Sequence, residues 1–252
     1  MAHRRWYLTR QFALKDFKIR YTSTALGYAW SVLNPLVFAL LYYLVFSIFA
    51  RFDIPNYPAY LILGVVLWNF FSEATANGIG SLLAQSSIVT KVALPRDVIV
   101  YAAILNAMLT LVITLGAMAV VLALSHIPLT WAALGFPIVL IDLIVLTLGV
   151  ALLLAPLHVR FHDVGYLWGI ALQIGFWLTP IIYHDLMLPP RWRRLMRFNP
   201  MARLIGHGRD ALILNHAPDW DALARTTVMV LAILGVGMFS FRRLQARLVE
   251  YY

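Results

Sequence analysis

Long uncharged stretches alternate with short charged blocks along this chain. Tyr21 to Ala50 carries no charge, Ile54 to Thr90 holds only Glu73, and Val98 to Ile141 is again uncharged. Val164 to His184 and Thr226 to Phe241 follow, with 21 and 16 residues. A hydrocarbon core about 30 Å thick needs about 20 apolar residues in a helix that rises 1.5 Å per residue. The 44-residue run from Val98 is too long for one crossing, and Ser125-His126-Ile127-Pro128 divides it, because proline cannot continue a helix. The pattern therefore predicts six transmembrane helices, at about 28–49, 57–83, 98–124, 131–156, 164–184 and 225–242. The last is short, and Arg225 would lengthen it by snorkelling to the interface.

The N-terminal segment reads differently. At 100° per residue Trp6, Ala13, Leu14 and Phe17 share one face, while Arg4, Gln11, Lys15 and Lys18 share another. That predicts an amphipathic interface helix over 4–23, lying against anionic lipid or an acidic protein groove. It has no continuous apolar core or small-residue cleavage site of the kind a signal peptide needs.

Composition agrees with the pattern. The 252 residues are 62% hydrophobic and 12% charged, with a mean hydropathy of +0.80, so the bilayer rather than water is the solvent. The expected architecture is an all-α polytopic membrane protein forming one membrane domain over 1–252. Charge decides its orientation. With both termini cytoplasmic, the inner segments hold twelve Lys and Arg, and the first two outer loops hold only Arg51. The segment from Asp185 to Arg225 breaks this bias with seven arginines on the expected outer side. Its mixture of Leu, Met, Phe and Ile with arginine predicts two short re-entrant helices over 186–215, hinged at Asn199 and Pro200. An amphipathic surface loop is the other reading of that stretch.

Absent motifs narrow the chemistry. The three lysines, Lys15, Lys18 and Lys91, provide no phosphate-binding loop, and there is no HExxH, no GxSxG and no paired carboxylates in one loop. Without cysteine there is no disulfide or thiolate metal site. No catalytic residue, metal or bound cofactor is expected, and no nucleic-acid partner. Two ionisable residues fall inside spans and need an account, because their burial is expensive. Glu73 suits a polar contact at a channel or dimer seam, or a bond to Asn77 one turn on. Asp142 suits pairing with another helix for packing.

The run LGYAWSVLNPL in the first span, LWNFF-SE in the second, KVALPRD after it, and the later FHDVGYLW, QIGFWLTPIIY, LPP and NPM blocks occur in order. Together, from about Phe17 to about Leu214, they resemble the permease subunits of polysaccharide-exporting ABC transporters, the type 2 exporters of O-antigen, teichoic acid and capsular polysaccharide. The resemblance implies a homodimer of six-helix permeases bound to two separate ATPase subunits, which carry the ATP and Mg. It also implies an N-terminal interface helix, a short cytoplasmic helix after the second span and an outer position for the basic block. The cargo it implies is lipid-linked polysaccharide of the undecaprenyl-pyrophosphate type, moved across the inner membrane, with O-antigen favoured over capsule or teichoic acid. A drug or lipid exporter of the same fold and a polyprenyl-sugar enzyme are the competing readings.

Carried over by position, Arg4, Arg10, Lys15, Lys91, Pro95, Arg96 and Asp97 would couple to the ATPases, together with His162 and Asp163. Relatives usually have Arg-Asp where this chain has His162-Asp163, so an arginine-specific role does not transfer. Pro95 and Asp97 also serve simply to start a helix. For the channel, Tyr28, Tyr42, Tyr43 and Phe46 in the first span, Glu73 in the second, and Trp168, Phe176 and Trp177 in the fifth offer flat apolar faces or polar groups to a sugar chain. Arg193, Arg194, Arg197, Arg203 and Arg209, with the Asn199-Pro200 hinge, would form an outer gate suited to anionic phosphate.

Overall fold

The computed structural model describes residues 6–15, 29–45, 54–86 and 95–245, and all regular structure among them is helical. Arg4, Tyr28, Phe46 and Lys91 lie outside the described residues, as does most of the segment after the second span. In chain order the helices are α1 (6–15), α2 (Ala29–Tyr42), α3 (Tyr57–Ala84), α4 (Asp97–Leu124), α5 (Phe136–Arg160), α6 (Asp163–Leu178), α7 (Pro190–Met196), α8 (Pro200–Leu212) and α9 (Trp220–Leu244). Among the described residues four helices are long and apolar enough to cross a membrane: α3, α4, the combined run Trp131–Arg160, and α9.

Proline and small polar residues set the boundaries. Asn56 takes the left-handed conformation at φ 52° and Pro58 sits in the first turn of α3. A 3-10 turn over Trp131–Gly135 leads into α5, whose first turn holds Pro137. Asn199 caps α8, its Oδ1 accepting from the Met201 and Ala202 amides at 3.0 and 3.2 Å. Asp219 caps α9 through the Ala222 amide at 2.9 Å. The expected break at Asn199 and Pro200 is thus a helix start, with α7 and α8 on either side of it.

The expected bounds of the second and third spans agree with α3 and α4 to within a residue. The fourth and sixth extend further than expected. α5 runs through Pro156 to Arg160, and α9 spans 25 residues, with Asp221 in its first turn and Arg242 and Arg243 in its last. The fifth is a correction. α6 stops at Leu178 after 16 residues, about 24 Å of rise. Pro180 lacks an N–H and pushes the residue before it out of the helical region, and Thr179 is extended at ψ 135°. The first span is helical from Ala29 to Tyr42, with a π-helical turn over 43–45.

α3 is the central element. It packs on α2, α4, α5, α6 and α8, and Leu61, Leu63 and Leu67 have no exposed surface. α5 and α9 approach most closely, at Gly149 and Gly237, where a Cβ on Gly237 would stand 2.2 Å from the Gly149 carbonyl oxygen. Asp142 of α5 takes a 2.7 Å hydrogen bond from the Thr227 hydroxyl of α9, so this buried carboxyl serves a helix pair. Alternating chain direction brings the ends of α3, α5 and α9 together with the starts of α4 and α6. α7 and α8 lie at the opposite end.

Candidate functional site

A cavity of about 840 Å³ opens between α2, α3, α4 and α6. One face of α2 supplies Trp30, Asn34, Phe38 and Tyr42, which recur every four residues and so share a stripe. α3 contributes Trp68, Asn69 and Glu73, and α6 contributes Gln173 and Phe176. The rings form a connected wall: Phe38 to Tyr42 at 6.1 Å between centroids, Tyr42 to Phe176 at 5.5 Å, and Phe176 to Trp68 at 6.0 Å, edge to face. α4 adds Thr110 and Thr114. The Thr114 hydroxyl donates to its own helix at 3.0 Å, whereas the buried Thr110 hydroxyl has no hydrogen-bond partner among the described residues. Flat apolar ring faces beside amide, hydroxyl and carboxyl groups can hold a ligand that is itself apolar on its faces and rich in hydroxyls at its edge.

Of the aromatic and acidic residues expected in a channel, Tyr42, Glu73 and Phe176 line this cavity. Tyr43 instead packs on Tyr57, at 6.2 Å. Trp168 donates its indole N–H to the Thr75 hydroxyl at 2.9 Å and sets its ring edge against Phe71. Trp177 stands perpendicular to Phe176 and is 58% exposed on the outside of the bundle. The residues not anticipated are Trp30, Asn34, Trp68, Asn69 and Gln173. The four-residue recurrence on α2 was the available signal.

At the end of the bundle holding α7 and α8, the chain after Pro180 has lost its helical hydrogen bonds, and its carbonyls are taken up by side chains. Arg209 donates to the Pro180 and Ile181 carbonyls at 2.7 Å each. The Tyr57 and Tyr60 hydroxyls donate to the carbonyls of Ile182 and Tyr183 at 2.9 and 3.0 Å. Arg209 also bonds the Tyr60 hydroxyl at 2.7 Å and lies 3.3 Å from that ring's centroid. It is 5% exposed. The structure thus sets Arg209 apart from the other arginines of the segment. Asn199 extends the lock, its amide nitrogen donating to Thr179 Oγ1 at 2.9 Å.

The remaining arginines divide in two. Arg193 bonds the Leu186 and Leu188 carbonyls, and Arg203 bonds those of Arg197 and Ala222. Arg194 and Arg197 are exposed. Arg193, Arg197, Arg203 and Arg209 line a common cleft of about 650 Å³, which Arg225 joins.

The expected coupling residues that are described gather at the other end. Arg96 Nη1 donates to the Gln245 carbonyl, tying the start of α4 to the end of α9, and Asp97 accepts from the Val98 amide at 3.1 Å. Pro95 precedes them, half-buried. His162 and Asp163 are exposed at the start of α6, and the His162 ring lies 6.2 Å from that of His158. On α1, Arg10 and Lys15 are exposed, while Thr9 and Ala13 are buried and Ala13 accepts from Asn106 of α4 at 3.3 Å. Of the expected apolar face, Ala13 is buried against the bundle, while Trp6 is 61% exposed and Leu14 faces outward. A small-residue contact with α4 decides which side packs.

The family model for the ABC-2 type transporter matches residues 7–212. The chain belongs to this family. Along 94% of its length the ABC-2 chain is 32% identical to the O-antigen export system permease protein RfbA of Klebsiella pneumoniae, covering 91% of that protein. The protein of the same name from Myxococcus xanthus is 28% identical over 86% of this chain and 85% of its own. The polysialic acid transport protein KpsM of Escherichia coli is 20% identical over 91% and 90%. The ABC-2 match spans α1 to α8 and so covers the cavity and most of the arginine cleft.

Proposed function

We propose that this chain is the transmembrane permease subunit of an ATP-driven ABC transporter that exports lipid-linked polysaccharide, most closely O-antigen, across the inner membrane. The observation that carries the reading is the cavity of rings and amides between α2, α3, α4 and α6, in a chain similar over nearly its whole length to O-antigen export permeases. Pyranose rings present C–H faces to aromatics and hydroxyls to amides, which suits a path tolerant of sugar sequence. The weaker likeness to a polysialic acid transporter does not favour capsule over O-antigen.

In this reading six segments cross the membrane and both termini are cytoplasmic. Helix α2 with its π turn, 29–45, supplies the first crossing. α6 supplies the fifth, and at its end the chain turns back on itself over 179–183, the Tyr183 hydroxyl donating to the Trp177 and Leu178 carbonyls. The carbonyls of 180–183, bonded by Tyr57, Tyr60 and Arg209, meet the demand that non-helical backbone at membrane depth be satisfied by protein. α7 and α8 are the re-entrant pair of the outer gate.

Two copies form the channel and bind two ATPase subunits, which carry ATP and Mg. The ATPases push on α1 through Arg4, Arg10 and Lys15, on the α4 start through Lys91, Pro95, Arg96 and Asp97, and on the α6 start through His162 and Asp163. Replacing Trp68 and Phe176 together by Ala removes the central edge-to-face pair of the wall. Surface polysaccharide should then fall at least tenfold at normal membrane levels of the protein; undiminished export would refute the cavity as the path.

A further inference from the structure

Positive charge is concentrated in the cleft of about 650 Å³ between α7, α8 and α9. Arg193, Arg197, Arg203, Arg209 and Arg225 face it, and the carboxylates on its wall among the described residues are Asp185 and Asp210. Five guanidiniums thus meet two carboxylates, and Asp210 already lies 3.9 Å from the His216 ring. The bonds these arginines make are to backbone carbonyls, which orient a guanidinium without neutralising it. Arg225 is close enough to Arg203 to add to burial in disfavouring that residue's charge. The Nε atoms of Arg193 and Arg209 are buried and have no hydrogen-bond partner among the described residues, and an unsatisfied buried donor is costly. Five guanidiniums held together beside two carboxylates describe a site suited to an anion.

We propose that this cleft binds a phosphate group carried on a lipid. Arginine forks match phosphate oxygens, and two or more guanidiniums can share one such group. The surroundings favour a lipid source over a free anion. Trp192, Leu195 and Phe198 are exposed beside the arginines, and apolar side chains flanking a cationic row are the pattern that seats a headgroup with its chains alongside. Arg197 and Arg225 are exposed and their guanidiniums donate to no group among the described residues, so they are positioned to close on the ligand. The lipid part of the assignment rests on the transport reading above; the phosphate site does not.

The test uses the full chain purified in detergent, without any ATPase, titrated with farnesyl pyrophosphate, farnesol and inorganic pyrophosphate. Farnesyl pyrophosphate should bind saturably and at least tenfold more tightly than either of the others. The double variant R197Q/R225Q should weaken it at least tenfold, and R197K/R225K should retain most of the affinity. Farnesol binding as tightly as its pyrophosphate, or a double variant that elutes normally and binds unchanged, overturns the site. Inorganic pyrophosphate binding as tightly as the farnesyl compound overturns the lipid assignment alone. A chain that exported nothing would still give the expected titration, so this experiment fails separately from the transport reading.

Discussion

Arg209 shows how far a residue's role depends on partners distant in sequence. Along the chain it is one of seven arginines in a basic block, indistinguishable from Arg197 by type. In the fold it is enclosed by carbonyls 28 and 29 residues upstream and by Tyr60, 149 residues away. Arg209→Gln leaves the Pro180 and Ile181 carbonyls short of donors inside the protein, so it should cost about 3 kcal/mol and lower the thermal midpoint in detergent by several degrees. Arg197→Gln, on an exposed side chain, should change stability by less than about 0.5 kcal/mol. Equal effects of the two would mean that Arg209 is not the lock of the α6 end. Asp142 was readable from sequence as a packing carboxyl, and its Thr227 partner bears this out, because an ionisable group in an apolar run needs a polar neighbour wherever the fold places it.

Among the elements, the long helices were legible and the irregular ones were not. Uncharged runs located α3 and α4 to within a residue because apolar length is what the bilayer selects. The ends of α5 and α9 were misplaced because charged residues can occupy a terminal turn of a spanning helix. The fifth crossing was drawn as one helix through Pro180, since a composition window does not register the backbone break. On α1, Ala13 of the expected apolar face accepts from Asn106 of α4, and apolar moment says nothing of such a close approach. Close approach is also the test of the α5–α9 pair. Gly237→Ala would drive a methyl into the Gly149 carbonyl and should cost about 2 kcal/mol, while Gly235→Ala, with nothing within 4 Å, should be neutral. Comparable loss from both, read by thermal unfolding in detergent, would contradict the packing.

At the scale of the whole molecule, α6 offers a face that the bundle does not cover. Tyr166, Ile170, Ile174 and Trp177 lie along one side of it and are each more than half exposed, and Leu172 is its one buried residue. In the proposed dimer this face meets the second copy across the channel. The chain has no cysteine, so single replacements report cleanly. Ile170→Cys or Ile174→Cys should cross-link copies in the membrane with a short bifunctional reagent, and Leu172→Cys should not. The site was only partly legible at this scale. Tyr42, Glu73 and Phe176 were found as residue types suited to sugar, but their convergence with Trp30, Trp68 and Gln173 depends on how α2, α3 and α6 rotate against one another, which residue type does not encode.

The central claim is that this chain carries polysaccharide across the membrane only with a separate ATPase. Its most direct test is surface polysaccharide in a strain deleted for its own O-antigen permease and ATPase, supplied with this chain and the ATPase encoded beside it. Export should return with both proteins and be abolished when the ATPase is omitted or its ATP site disabled. Export by the chain alone, or none with both proteins present at normal membrane levels, would contradict the account.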